Sequence, residues 1–522
     1  MKTKIITIIT VFLAIFTIAN FCYAAQLIPN DPDYGRQWYL KALNMPEVWG
    51  TQTGNNSVIV AVLDSGVDIA HPDLRDNIWV NRDEILGDNI DNDKNGFIDD
   101  GQGWDFVNSV SDPRPKFESD CFLTDTCSKE AIIHGTLVSG VIAAMGNNYY
   151  GTTGLAWNVK IMPLRVLDEN GSGDTSNVLK AINYAVDNGA NIINLSFVGD
   201  SYDSSLEKAI EQAYLKNVLV IAAAGNEGTD GHSVNMDFRK MYPVCSQGSA
   251  GENIIIGVAA VDQDNVLSKF SNYGSSCIDI AAPGENIYGP LYYADYSDFF
   301  NYFGGEYSGT SLAAPIVSGI GALIKSQKPT ITSKEITDLI LNNGDNIDAI
   351  NPFFAGKLGK GLINPVKIFK SITSLSISGN LIKGSGEVVY YYGADGKRYA
   401  FPDRNTYFSW YANFSSVLTI SDTDLAIITL GGIVNYRPGS LIKINSLPNV
   451  YAVTHNGILR WIKTEEIAKM LYGENWAILV RDVPDSFFIN YKIGEAIETA
   501  ASFSPTLERE QNITIDIDKE LN

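Results

Sequence analysis

The chain has 522 residues, 45% of them apolar and 19% charged. That is long enough for more than one core and too apolar for a disordered chain. Its formal charge of −22 repels phosphate backbones and excludes nucleic acid as an expected partner. Lys2 and Lys4 open the chain, an uncharged and largely apolar run follows from Ile5 to Cys22, and Cys22-Tyr23-Ala24 offers small residues at the two positions a signal peptidase needs. Residues 1–24 therefore read as an export signal; an uncleaved anchor is the rival reading, weakened by threonines at 7, 10 and 17. Nothing downstream is long and apolar enough for a transmembrane helix, so a secreted or cell-surface protein with no stable membrane insertion after cleavage is expected. Four cysteines remain beyond Cys22, namely Cys121, Cys127, Cys245 and Cys277. An even count in an exported chain suggests two disulfides with three pairings open, of which one ties off the loop between the close pair. A zinc site is the weaker alternative, since no pair has C-x-x-C spacing and histidine is scarce.

Asp31 and Asp33 stand near the expected mature N-terminus and are candidate ion ligands. From about Ser57 to Ser326 two kinds of segment alternate. Short β-branched runs at 57–64, 159–167, 191–197, 217–225 and 253–261 read as strands buried on both faces. Helical patterns at 176–189 and 205–217 lie between some of them. The alternation predicts a doubly wound, mostly parallel α/β sheet. Thr332-Ser-Lys-Glu335 reads as a capping box for a later helix. Within this region DNIDNDKNGFIDDG (88–101) sets Asp91, Asp93, Asn95 and Gly96 at the spacing of the first half of an EF-hand loop, with Phe97 at the backbone-carbonyl position and Asp99 at the ninth. Hard oxygen ligands two apart around a glycine turn suit Ca²⁺, although Gln102 stands where the bidentate glutamate belongs.

Beyond about residue 372 the sequence turns aromatic and rich in short strands. VYYYGADGKRYAF (389–401) is echoed by VYAVTHNGILRWI (450–462), each an Arg-aromatic hairpin with a short helix after it. The expected domains are 25–372, a smaller β-rich α+β repeat domain at 373–502 with repeats at about 386–436 and 447–497, and a polar, loosely ordered tail at 503–522. The aromatic repeats suggest a ligand in the cell envelope; a purely structural appendage is the equal alternative.

Three settings carry chemistry. AVLDSGVD leaves Asp64 at a sheet's carboxyl edge, HGTLVSG has His134 opening a helical pattern, and YSGTSLAAP holds Ser311 in an uncharged stretch at a helix start, with Pro315 expected within the first helical turns. A serine attacks only when an imidazole takes its proton, and the imidazole needs a carboxylate to fix its tautomer. Asn226, in VIAAAGNEG directly after a buried strand, can donate to the negative oxygen of the tetrahedral intermediate.

DSGVD at 64–68, HGTLVSG at 134–140, AAGNEG at 223–228 and GTSLAAP at 309–315 resemble the four signature blocks of subtilisin-like serine proteases, over about residues 29 to 370. The resemblance implies Asp64 as orienter, His134 as general base and then acid, Ser311 as nucleophile and Asn226 as oxyanion donor. It implies that a polypeptide substrate lies as a strand between LDENGSG, with Gly171 and Gly173, and LSFVG, with Ser196, Phe197, Val198 and Gly199. Ala223, Ala224 and Gly225 would wall the pocket for the residue before the scissile bond, with Val198 narrowing its entrance where glycine is usual. It implies a calcium site in the acidic insert and a structural His71, while His232 and His455 read as surface loop residues. Many relatives carry a propeptide; here Ala24 leads almost directly into a segment resembling a mature N-terminus, so folding without such a segment, or with outside help, is expected. The expected function is a secreted, calcium-stabilised serine endopeptidase. The rival is a non-catalytic surface or adhesion protein on a protease-like fold.

Overall fold

The β-branched runs form the middle of one parallel sheet in the computed structural model of the chain. The structure describes residues 26–118, 121, 126–226, 233–295, 299–377, 379–420 and 422–521, so the expected export signal and His232 lie outside the described residues. Strands β1 (Ile59–Asp64), β2 (Trp104–Asp105), β3 (Lys160–Arg165), β4 (Ile192–Leu195), β5 (Leu219–Ala223), β6 (Ile256–Val261) and β7 (Ile280–Pro283) take the order β2-β3-β1-β4-β5-β6-β7. Every neighbouring pair is parallel. The helices are α1 (Trp38–Ala42), α2 (Met45–Trp49), α3 (Lys129–Ala143), α4 (Thr175–Asp187), α5 (Ser204–Leu215), α6 (Thr310–Gln327), α7 (Ser333–Asn342) and α8 (Pro365–Ile377). The expected doubly wound α/β architecture is thus present, with a separate antiparallel hairpin of β8 (Ile287–Pro290) and β9 (Phe303–Tyr307).

Side chains alternate across each strand. Ala61 and Leu63 join a buried cluster with Val178, Ile182, Leu206 and Ile210 of α4 and α5. Val60, Val62 and Asp64 therefore face the opposite side, where α3 packs on β1 and α6 packs on β4 to β7. Parity alone turns the last residue of β1 toward α3. The capping box at α7 forms through Thr332 and Glu335.

One boundary differs from expectation. His134 does not open α3; the helix begins five residues earlier, because Ser128 accepts from the backbone N–H of Ala131 and caps it there. Disulfides join Cys121 to Cys127 and Cys245 to Cys277.

The chain divides into two units, between Ser371 and Ile372. The second unit holds two five-stranded sheets of one plan. Strands β10 (Leu381–Lys383), β11 (Tyr390–Tyr392), β12 (Arg398–Ala400), β13 (Val417–Thr419) and β14 (Leu430–Ile433), with α9 (Arg404–Trp410) and α10 (Asp422–Ile427), give the order β13-β10-β11-β12-β14. Strands β15 (Leu441–Ile444), β16 (Tyr451–Thr454), β17 (Ile458–Trp461), β18 (Val480–Val483) and β19 (Lys492–Ile493), with α11 (Glu465–Tyr472) and α12 (Asp485–Phe488), repeat it as β18-β15-β16-β17-β19. The first strands start at Leu381 and Leu441, ahead of the expected 386 and 447. Tyr390 pairs with Ala400 and Tyr451 with Trp461, the same hairpin register twice. In that register Arg398 matches Leu459, so Arg460 points to the other face. The Arg-aromatic echo is a coincidence of composition, while the register is shared.

The described residues 503–521, expected as a loosely ordered tail, are folded. They form α13 (Pro505–Gln511) and α14 (Ile515–Lys519), with Ile515 fully buried and Phe503 nearly so. Two apolar anchors outweigh the polar composition that suggested disorder.

Candidate active site

Asp64 ends β1 without solvent exposure. Its Oδ1 accepts from the Ser65 N–H at 2.7 Å and lies 2.8 Å from His134 Nδ1. An ionised Asp64 holds the proton on Nδ1 and leaves Nε2 as the acceptor. Burial acts to lower the His134 pKa, but the charge and hydrogen bond of Asp64 more than reverse that and raise it above the usual 6.5. The contact needs a bare backbone: a Cβ on Gly135 would come 2.2 Å from the Gly66 carbonyl. Gly66 itself, at φ +108°, lies directly beneath residues 113–115.

Ser311 is the second residue of α6. A Cβ on Gly309 would lie 2.9 Å from Ser311 Oγ and 3.2 Å from Asn226 Nδ2, so glycine keeps open a small space that both groups border. The Asn226 amide has one usable orientation, because its Oδ1 accepts from both the N–H and the hydroxyl of Thr310, at 2.9 and 3.0 Å. Thr310 Oγ1 in turn accepts from the Gly225 N–H at 2.9 Å. Thr310 was not singled out in the sequence, where only its place beside Ser311 could have marked it. Asp64 ends β1 and Asn226 follows the parallel β5 at the same edge of the sheet, and α3, which carries His134, packs against α6, which carries Ser311.

Pro315 is the sixth residue of α6, within its first two turns. It removes the N–H that the Ser311 carbonyl would otherwise accept. Ser196 Oγ donates there instead, at 2.8 Å, and itself accepts from Asn194 Nδ2 at 2.9 Å. Ser196, expected on the substrate edge, is buried beneath the serine. Phe197 and Val198 are half-buried. Gly199 is no free edge, for its N–H and carbonyl both pair with Tyr242, at 2.7 and 2.8 Å. Backbone direction alternates in extended chain, so the polar groups of Val198 face away from Tyr242. Gly171 and Gly173 lie on an exposed rim, which Asp168 closes by accepting from Ser172 N–H at 2.9 Å. Ala223, Ala224 and Gly225 are buried, and Asn272 Nδ2 donates to the Ala224 carbonyl at 3.0 Å.

The acidic insert converges differently from EF-hand spacing. Asp91 accepts from the N–H groups of Asn95 and Gly96, and Asp99 from those of Gly87 and Asn89, so both spend their carboxylates on backbone. Phe97 turns its ring against Trp104, Phe106 and Tyr184. Asn95 donates to Asp93 and Asp100. The carboxylates that converge are Glu84, Asp93 and Asp100, with oxygens within 4.8 Å of one another. Two of them stand outside the expected set because a folded loop, not a fixed spacing, brings them together. Three carboxylates this close repel when ionised, unless one takes a proton or a cation joins them; Glu84 also accepts from the N–H groups of Asn92, Asp93 and Asp99, and an all-oxygen set suits a hard cation. Near the N-terminus Asp31 faces Asp73 rather than Asp33, which lies by Arg36. Both are buried; Asp31 Oδ1 has no hydrogen-bond partner, and burial pushes Asp73 up to about 7.

His71 is fully buried, with Nε2 2.9 Å from the Tyr302 carbonyl and Nδ1 accepting from Asp73 N–H. His455 lies in the partly exposed turn between β16 and β17, tied to Asn512 at 2.7 Å and Glu520 at 3.0 Å. No helix among the described residues is long and apolar enough to cross a membrane.

The sequence model of the Subtilase family matches residues 55–360. The chain is 33% identical over 336 residues to a thermophilic serine proteinase of Bacillus sp. (strain AK1), covering 64% of this chain and 68% of that one. It is 32% identical over 340 residues to thermitase of Thermoactinomyces vulgaris, covering 65% and 98%. A solved protease from Pseudoalteromonas arctica superposes with a TM-score of 0.51 at 28% identity, over 66% of this chain and 99% of the other.

Proposed function

The chain belongs to the subtilase family and is a serine endopeptidase acting on polypeptides, and we propose that Ser311, His134, Asp64 and Asn226 perform its reaction. Ser311 Oγ attacks the substrate carbonyl while His134 Nε2 takes its proton. Asp64 holds the imidazole in the required tautomer and stabilises the imidazolium that forms. The oxyanion accepts from Asn226 Nδ2 and from the Ser311 N–H, one of the unpaired donors at the start of α6. His134 then protonates the leaving amine, and the acyl-enzyme on Ser311 is hydrolysed by water through the same base. The substrate runs as a strand between the 168–173 rim and Val198, with the side chain before the scissile bond against Ala223 to Gly225.

The observation that carries this reading is the 2.8 Å Asp64–His134 contact, at the same sheet edge as a serine whose neighbouring amide has its oxygen fully engaged. The test is Ser311→Ala in the purified protein. Peptide hydrolysis and labelling by a fluorophosphonate should fall to background, and undiminished hydrolysis would refute the assignment.

The same reading includes calcium and export. Glu84, Asp93 and Asp100 would hold one ion, and Asp31 with Asp73 would contribute to a second. Bound calcium supplies the positive charge that lets these carboxylates stay close and ionised. Export through residues 1–24 agrees with the two disulfides, which persist in oxidising compartments.

A further inference from the structure

We propose that Asn272 is a positioning residue for the oxyanion donor, fixing the Asn226 amide through a one-way chain of hydrogen bonds. The inference rests on the reading of Ser311 and Asn226 above. β5 ends at Ala223, and Gly225, at φ +94°, turns the chain out of the sheet just before Asn226. The peptide group joining Ala224 to Gly225 is trans and planar, so its carbonyl and its N–H point opposite ways. The carbonyl accepts from Asn272 Nδ2 at 3.0 Å, and the N–H donates to Thr310 Oγ1 at 2.9 Å. That single peptide therefore spans the space between Asn272 and the residue before the nucleophile.

The chain continues at both ends. Asn272 Oδ1 accepts from the Val234 N–H at 3.0 Å, which leaves its Nδ2 as the group directed at Ala224. Thr310 Oγ1 donates onward to Asn226 Oδ1 at 3.0 Å. From Val234 to Asn226 every donor points the same way, and bonds in such a chain polarise one another. An amide whose oxygen accepts donates more strongly through its nitrogen, and Asn226 Nδ2 borders the space beside Ser311 Oγ. Asn272 is itself anchored and has no solvent exposure. Its own N–H donates to the Gly225 carbonyl at 3.0 Å. Ser271 Oγ accepts from the N–H of Ala260 in β6 at 2.9 Å and donates to the Asn272 carbonyl at 3.1 Å. The turn that carries Asn226 is thus located by the sheet through Asn272 and by α6 through Thr310. An alanine at 272 would cut the chain and leave the Ala224–Gly225 peptide held from one side.

The test is a double-mutant cycle in the full chain on one chromogenic peptide. Asn272→Ala should lower kcat about tenfold, as for the loss of one buried hydrogen bond, with KM nearly unchanged because Asn272 lies behind the pocket wall. In Asn226→Ala, which removes the amide the chain acts on, adding Asn272→Ala should lower kcat no further. A peptide aldehyde, whose hemiacetal on Ser311 sets an oxygen beside Asn226, should lose affinity for Asn272→Ala in step with kcat. An uncleaved peptide should bind Ser311→Ala equally with and without the change at 272. Equal losses of kcat in both backgrounds would overturn the proposal, as would an unchanged kcat in Asn272→Ala or a loss confined to KM. If alanine at 272 prevents folding, Asn272→Ser, too short to reach both Val234 and Ala224, goes through the same cycle with the same readings. An unchanged kcat in Asn226→Ala, or hydrolysis surviving in Ser311→Ala, would instead sink the active-site reading itself.

Discussion

Among single residues, the position of Ser311, the proposed nucleophile, depends on a substitution of hydrogen bonds. Pro315 strips the Ser311 carbonyl of its helical donor, and a buried carbonyl left so costs about 1–3 kcal/mol. Ser196 fills the vacancy, Asn194 holds Ser196, and Ser318 Oγ donates to Asn194 Oδ1 at 2.8 Å. The start of α6 is thus tied to the end of β4, while Thr310, next to Ser311, is tied to Asn226. The imidazole offers a test at the same scale. The proposed mechanism needs neutral His134, and Asp64 raises its pKa above 6.5, so protonation persists to higher pH and the acid limb of activity moves upward. The limb of kcat/KM on an uncharged peptide should have its midpoint above 6.5, and in Asp64→Asn, where burial acts without the opposing charge, it should move to lower pH. A pH–rate profile of both proteins checks the sign.

At the scale of elements, the C-terminal helix α14 acts as a clasp within its own unit. Asp516 accepts from Tyr391 Oη and from Ala394 N–H in the hairpin of the first repeat. Asp518, two residues on, accepts from Asn456 N–H in the matching hairpin of the second. Between the hairpins Ile515 is fully buried, so one short helix closes both sheets at once. Asp516→Ala should cost this unit about 1.5–3 kcal/mol, the range for a hydrogen bond to a charged group. Urea unfolding followed by the tryptophans of residues 379–521 would measure it, and an unchanged midpoint would show that α14 only rests on the hairpins. The acidic insert is the second element with a structural part. Phe97 packs into the main core and Tyr184 Oη donates to Asp100 at 2.6 Å, so an ion held by Glu84, Asp93 and Asp100 would brace α4 as well as the loop.

At the scale of the whole molecule, all acids proposed for calcium lie between Asp31 and Asp100, in the unit that ends at Ser371. A bound ion contributes about 2.7 kcal/mol at a concentration a hundredfold above its Kd. Chelation should therefore lower the melting temperature of that unit and leave the circular dichroism signature of the repeat unit in place. Asp93→Asn with Asp100→Asn should remove part of the response. Calorimetry with and without a chelator decides it, and a melting temperature indifferent to calcium would remove the ion from the account.

Short-range sterics and period were legible in the order of the amino acids. Five β-branched runs became neighbouring strands because residues buried on both faces leave a strand no other place. Asp64 had to face α3 by the two-residue alternation, and Gly66, Gly135 and Gly309 stand where a Cβ would strike backbone or the serine itself. Which distant groups meet follows from how the chain folds back on itself. EF-hand spacing drew attention to Asp91 and Asp99, yet loop closure brought in Glu84 and Asp100. Asp31 found Asp73, not the nearer Asp33. Ser196 and Thr310 acquired partners that nothing adjacent in sequence names, and a polar C-terminus was captured by two hairpins. Local pattern fixes what a residue can offer and which way it points; the path of the chain through three dimensions decides what stands opposite.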